Sequence, residues 1–183
     1  APLFLFLAGI SFALVTGKLL IKQLPVSAIA TTTIKRGAEI FGLGLLFRLQ
    51  EYFIAFPWAP WTDLFRVDIL NTIGVSMMLM GVVCWLVFLV AQSRNRPRMF
   101  LAGAAVISAL TIALLTPLLW TTWRPGWLPW PLESYINGVH NLGAPQPWLF
   151  PIFPWTAFAF VGLATGFYLT SDRAKDRQGR LFL

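Results

Sequence analysis

The stretch FRVDILNTIGVSMMLMGVVCWLVFLVAQS, residues 65–93, decides what kind of protein this is. From Ile69 to Ser93 it runs 25 residues without a charge. A helix needs about 20 apolar residues to cross the hydrocarbon of a bilayer. Yet Arg66, Asp68 and Asn71 crowd the mouth of the run, where a plain membrane helix has no use for them.

Further uncharged runs cover 1–17, 99–123 and 141–171. They are continuous rather than alternating, which argues against a β-barrel. Of the 183 residues, 57% are hydrophobic and 11% charged, where a soluble domain carries about 25% charged. The expected fold is all-α: a polytopic transmembrane helix bundle forming one domain over residues 1–183. Five spans are read, over 2–20, 38–57, 67–91, 98–120 and 150–171.

The net charge of +7 reports topology rather than nucleic-acid binding, because the cations sit in short clusters between apolar runs. Lys18, Lys22, Lys35 and Arg36 lie between the first two spans, Arg94, Arg96 and Arg98 between the third and fourth, and Arg173, Lys175, Arg177 and Arg180 after the fifth. The other two loops hold only Arg66 and Arg124. Positive charge marks the cytoplasmic side. The N-terminus is therefore expected outside and the C-terminus inside. Trp58, Trp61, Trp120, Trp123, Trp127, Trp130, Trp148 and Trp155 fall on or near the outer face, as an aromatic belt would. They also offer a stacking surface for a sugar or lipid headgroup. The chain enters an apolar run at Ala1 with no basic leader, unlike a signal peptide. An external N-terminus before an odd number of spans leads us to expect upstream sequence, with these residues a fragment of a larger polytopic domain.

Gly9, Ala13 and Gly17 form a stripe at helical spacing, and Gly162 and Gly166 a GxxxG pair; both read as helix-packing surfaces. Arg48 and Glu51 lie inside the second span, three residues apart on one helical face. A charge at the bilayer centre costs about 2.5–3.5 kcal/mol on insertion scales, so pairing, snorkelling or a wet cavity must offset it. Arg66 stands on the side where positive charge is disfavoured. Asp68 suits a helix cap. Taken together, Arg48, Glu51, Arg66, Asp68 and Asn71 come out at similar depth on the outer half, as a substrate-binding cluster would.

His140, the sole histidine, lies in the outer loop WTTWRPGWLPWPLESYINGVHNLGAPQPW. An imidazole suits general-base chemistry near neutral pH, which makes it the catalytic candidate among these residues. Lys35, Arg36 and Glu39 form an inner basic patch able to hold the phosphates of a cytosolic cofactor, or simply to mark the cytoplasmic side. No phosphate-binding glycine motif is present, and one His with one Cys cannot assemble a metal site. Cys84 has no partner for an internal disulfide.

APLFLFLAGISFAL, KRGAEIFGLGLLFRLQEY, FRVDILNTIGVSMML and FPIFPWTAFAFVGLATG, in this order, resemble bacterial membrane proteins of the heparan-α-glucosaminide N-acetyltransferase type. These belong to the transmembrane acyltransferase superfamily. The RxDxLNxIG-like stretch (Arg66, Asp68, Leu70, Asn71, Ile73, Gly74) and the FPxxPW-like stretch ending in Phe153, Pro154 and Trp155 carry most of the likeness. The resemblance implies an integral protein of the bacterial cytoplasmic (inner) membrane. It would move an acyl group, such as acetyl, from cytosolic acyl-CoA to a hydroxyl or amine of an extracytoplasmic glycan or amino sugar. The family also keeps a histidine ahead of its APLFLFLAG-like segment, so the catalytic histidine is expected upstream of Ala1. These residues alone are accordingly expected to be inactive. The alternative is a non-enzymatic membrane protein, such as a carrier of polar or lipid-linked substrates with helices broken at Gly42, Gly44 or Pro117. Nucleic acid and metal are not expected as partners, and a homo-oligomer is left open.

Overall fold

The protein is described here by a computed structural model covering residues 1–91, 97–138 and 150–171. Its helices are α1 (Pro2–Ile21), α2 (Val26–Ala55), α3 (Ile69–Ala91), α4 (Pro97–Thr121), α5 (Trp130–Asn137) and α6 (Ile152–Leu169), with a 3-10 turn at Trp61–Phe65. There is no strand among the described residues. Prolines stand at several helix starts, among them Pro2, Pro25, Pro60, Pro129 and Pro151. Proline suits those positions because its fixed φ and missing N–H cost nothing there.

Among the described residues four stretches are long and apolar enough to cross a membrane: Pro2–Ile21, Trp61–Val90, Arg98–Thr121 and Ile152–Leu169. The protein is thus a polytopic helical membrane bundle. Helix α2 is the longest at 30 residues, but Lys35, Arg36, Glu39, Arg48 and Glu51 interrupt its apolar surface. Its start at Val26 places Lys35 and Arg36 inside a helix, not in an inter-span loop as the charge pattern suggests. The physical reason is local. Apolarity marks where a span ends, but VSAIATTTIKR holds no proline or glycine, so nothing stops the helix from continuing toward water.

Helix α6 packs along α1 on one side and α4 on the other, while α2 packs chiefly on α3. The shared core includes Leu5 and Phe12 of α1, Met80 and Cys84 of α3, Leu101 and Ala105 of α4, and Phe160, Leu163 and Phe167 of α6. Both main seams are built on glycine. A β-carbon at Gly9 would lie 2.0 Å from the Ala159 carbonyl oxygen, and one at Gly162 would lie 2.0 Å from the Phe6 oxygen. On the second seam Gly37 and Gly74 face each other reciprocally, each β-carbon position 2.7 Å from the other's carbonyl oxygen. Helices in lipid associate by close van der Waals contact, which small residues permit. Gly42 and Gly44 lie in continuous α2, and Pro117 lies within α4.

Candidate functional site

The α2–α3 seam carries a polar layer at one end. Going along α2 from the glycine contact, Phe41, Gly44 and Arg48 follow at spacings of three and four, so they stay on the face turned to α3. Asn71 of α3 sits against Gly44, whose β-carbon position is 2.7 Å from the Asn71 amide nitrogen. That nitrogen donates to the Phe41 carbonyl at 3.2 Å. Nearer the helix end, Arg48 forms an ion pair with Asp68 at 3.2 Å and donates to Glu51 at 2.6 Å. The Arg48 side chain is 10% exposed, Asp68 29% and Glu51 64%. The deeper pair therefore carries the energetic weight, because solvent screens an exposed pair.

Asp68 does two things at once. One carboxylate oxygen accepts the Ile69 backbone N–H at 2.6 Å, at the start of α3, and the other meets Arg48. This answers why an aspartate stands at the mouth of an apolar run: it caps the helix and holds the charge of the neighbouring helix. Two carboxylates thus face one guanidinium. An open cleft of about 440 Å³ borders them, lined by Phe47, Gln50, Glu51, Ile54, Asp68 and Leu70.

Helix α5, within a segment that reads as loop, closes the layer from the side of the α4–α6 connection. Its start at Trp130–Pro131 and its left-handed Gly138 cap, at φ 77°, are the signals that mark it in the sequence. The Tyr135 ring lies 5.8 Å from that of Phe41. Burial pushes the Tyr135 hydroxyl up to about 12, with Arg48 lowering it and Asp68 raising it. The phenol therefore stays protonated and able to donate. Glu133, Ser134 and Asn137 are buried beneath α5. Asn137 donates to the carbonyls of Leu119 and Trp123 at 3.3 and 3.5 Å, which moors α5 to the end of α4. Arg124 caps the same end, reaching the Trp120, Trp123 and Leu119 carbonyls. Arg124→Ala should cost about 1 kcal/mol. Thermal unfolding in detergent should show this as a midpoint lower by about 2–4 °C.

Of the residues proposed as a substrate cluster, Arg48, Glu51, Asp68 and Asn71 share this layer. Arg66 does not join it: its side chain makes no hydrogen bond or ion pair among the described residues, and its backbone N–H ends the 3-10 turn on Asp63. Lys35, Arg36 and Glu39 are exposed on the first half of α2 and form no ion pair among the described residues. His140 lies outside the described residues. The described residues hold no group of three or more His, Cys, Asp or Glu able to bind a metal. Sequence reasoning missed Tyr135, Glu133 and Asn137, whose importance comes from α5 folding back onto α2 and α4.

The two stretches that carry the family likeness meet in space. The Thr72 hydroxyl donates to the Phe150 carbonyl, and the Phe150 ring packs 5.2 Å from Trp155. A family model for the heparan-alpha-glucosaminide N-acetyltransferase catalytic region matches residues 1–181. The chain belongs to that family. No curated protein and no solved structure gave a match. The heparan-alpha-glucosaminide N-acetyltransferase family accords with the polytopic helical membrane bundle described above. It is a family of membrane acetyltransferase type.

Proposed function

We propose that the protein moves an acetyl group from cytosolic acetyl-CoA to an amine or hydroxyl of an extracytoplasmic amino sugar or glycan. The observation that carries this reading is the half-buried Arg48–Asp68 pair at one end of the α2–α3 seam in a chain of this family. In this reading α2 crosses the membrane with the other long helices. Lys35 and Arg36 stand about 18–20 Å from Arg48 along the helix, at about 1.5 Å per residue. The first pair faces the phosphates of the donor, and Arg48, Asp68 and Asn71 orient the acceptor. The attacking amine or hydroxyl bonds to the acetyl carbon as the thioester C–S bond breaks; its proton passes to a histidine, and the departing CoA thiolate takes up a proton to leave as the free thiol. At Gly42, Gly44 and Pro117, where the carrier reading would place breaks, α2 and α4 run on as helix.

The decisive assay reconstitutes the protein in liposomes, both as these residues and with whatever precedes Ala1, and supplies labelled acetyl-CoA with glucosamine on the opposite side. Transfer of label that Arg48→Met abolishes supports the reading. Failure of every form to label any amino sugar or glycan overturns it. The same liposomes test orientation. In a Cys84→Ala background, an impermeant thiol reagent added from the acceptor side should label Trp58→Cys and spare Gln23→Cys. The reverse pattern would invert the topology.

A further inference from the structure

Three buried polar atoms in the layer have no hydrogen-bond partner among the described residues: Arg48 Nε, Asn71 Oδ1 and the Tyr135 hydroxyl. Buried polar groups are normally paired, and leaving one unmade is costly. The orientation of Asn71 is set by its donation to the Phe41 carbonyl, which only the amide nitrogen can make, so Oδ1 is the free acceptor. Asn71 is 0% exposed and the Arg48 side chain 10%. The three residues are linked through shared neighbours. Phe41 bonds Asn71 and packs on Tyr135, while Asp68 pairs with Arg48 and bears on the Tyr135 hydroxyl.

We infer that Arg48 Nε, Asn71 Oδ1 and the Tyr135 hydroxyl form a subsite that reads neutral hydroxyl groups of a sugar, with Tyr135 its specificity residue. The chemistry of the set supports this choice. Arg48 Nε offers a donor, Asn71 Oδ1 an acceptor, and a phenol offers either. A sugar hydroxyl accepts one bond and donates another, so adjacent hydroxyls satisfy all three atoms. A phosphate only accepts, and would leave Asn71 Oδ1 facing an anion. The guanidinium is also already matched by Asp68 and Glu51, so little positive charge remains to attract a phosphate. The aromatic rings of Phe41 and Tyr135 supply an apolar wall beside the polar atoms. This inference rests on the acceptor-side reading above and assigns the layer to acceptor hydroxyls rather than to the phosphates of the donor.

The test is equilibrium binding of tritiated N-acetylglucosamine, its 6-phosphate and its monodeoxy analogues to the protein in nanodiscs. Tyr135→Phe keeps the ring against Phe41 and removes only the hydroxyl. It should weaken the neutral sugar by about tenfold, as loss of one buried hydrogen bond does. One monodeoxy analogue should bind the wild type and Tyr135→Phe equally, a result that general loosening of α5 would not produce. Tyr168→Phe, exposed at the far end of α6, should leave all affinities unchanged. Tenfold tighter binding of the 6-phosphate overturns the inference. So does equal binding of every sugar to wild type and Tyr135→Phe, or no binding of any neutral sugar. Sugar binding that depends on Tyr135 without acetyl transfer would uphold the subsite while removing the transferase reading. Transfer with Tyr135→Phe unaffected would do the opposite.

Discussion

Gly162→Val should leave almost no folded protein. At this position a β-carbon meets the Phe6 carbonyl oxygen at 2.0 Å, and the opposing Gly9 meets Ala159 just as closely. These obstacles are backbone atoms, so no rotamer change relieves them. Helices α1 and α6 would have to move apart along a seam that also holds Ala13 against Gly166. In lipid there is little hydrophobic force to hold separated helices together, because the tails are as apolar as the side chains. Overpacking alone costs about 1–3 kcal/mol, and loss of the seam adds to it, so we expect more than about 3 kcal/mol in total. Size-exclusion profiles and thermal unfolding in mild detergent should show aggregation or a collapsed midpoint. Gly17→Ala and Gly103→Ala, with nothing within 4 Å of the added carbon, serve as controls and should unfold like the wild type or slightly later. A Gly162→Val protein with the wild-type midpoint would show that the seam is not as close as described.

The second large effect is expected at Arg48. Arg48→Met leaves the Asp68 carboxylate with the Ile69 N–H but no cation. Removing one partner of a buried pair costs about 3–5 kcal/mol, and the 29% exposure of Asp68 places this case at or below the lower end. If the proposed reaction is correct, the loss of acetyl transfer should be larger still, about 100-fold or more, because mispositioning a reacting group is expensive. Asp68→Asn keeps an acceptor for the helix start and removes the charge. The double variant Arg48→Met, Asp68→Asn should therefore regain most of the midpoint and none of the activity. Glu51→Gln should move stability by less than about 0.5 kcal/mol, since that pair is exposed. A complete double-mutant cycle in unfolding and in transfer separates the two roles. Full activity in Arg48→Met would exclude it from the site.

Several features were written in the residues one at a time. The 25-residue uncharged run behind Asp68 and the composition of the other runs established a helical membrane protein, because hydrocarbon tolerates little else. The Gly9 stripe and the Gly162–Gly166 pair marked packing faces, since only small side chains let backbones meet. The family was legible in two short stretches, residues 65–74 and 150–155, and the Arg48–Glu51 spacing flagged a shared helical face. Tertiary structure decided the rest. Asp68 lies 20 positions from Arg48, and no periodicity says that α2 and α3 run antiparallel with Gly37 on Gly74, which is what brings the two charges together. Arg66 looked like a member of the cluster because it comes out at similar depth on the side where positive charge is disfavoured, but the 3-10 turn ends on it and its side chain pairs with none of the described residues. Tyr135 was invisible because its environment is made by a short helix folding back from an aromatic loop onto Phe41. Apolar periodicity reports how each segment meets its solvent; which polar atoms share a buried layer depends on how close glycine lets the helices come.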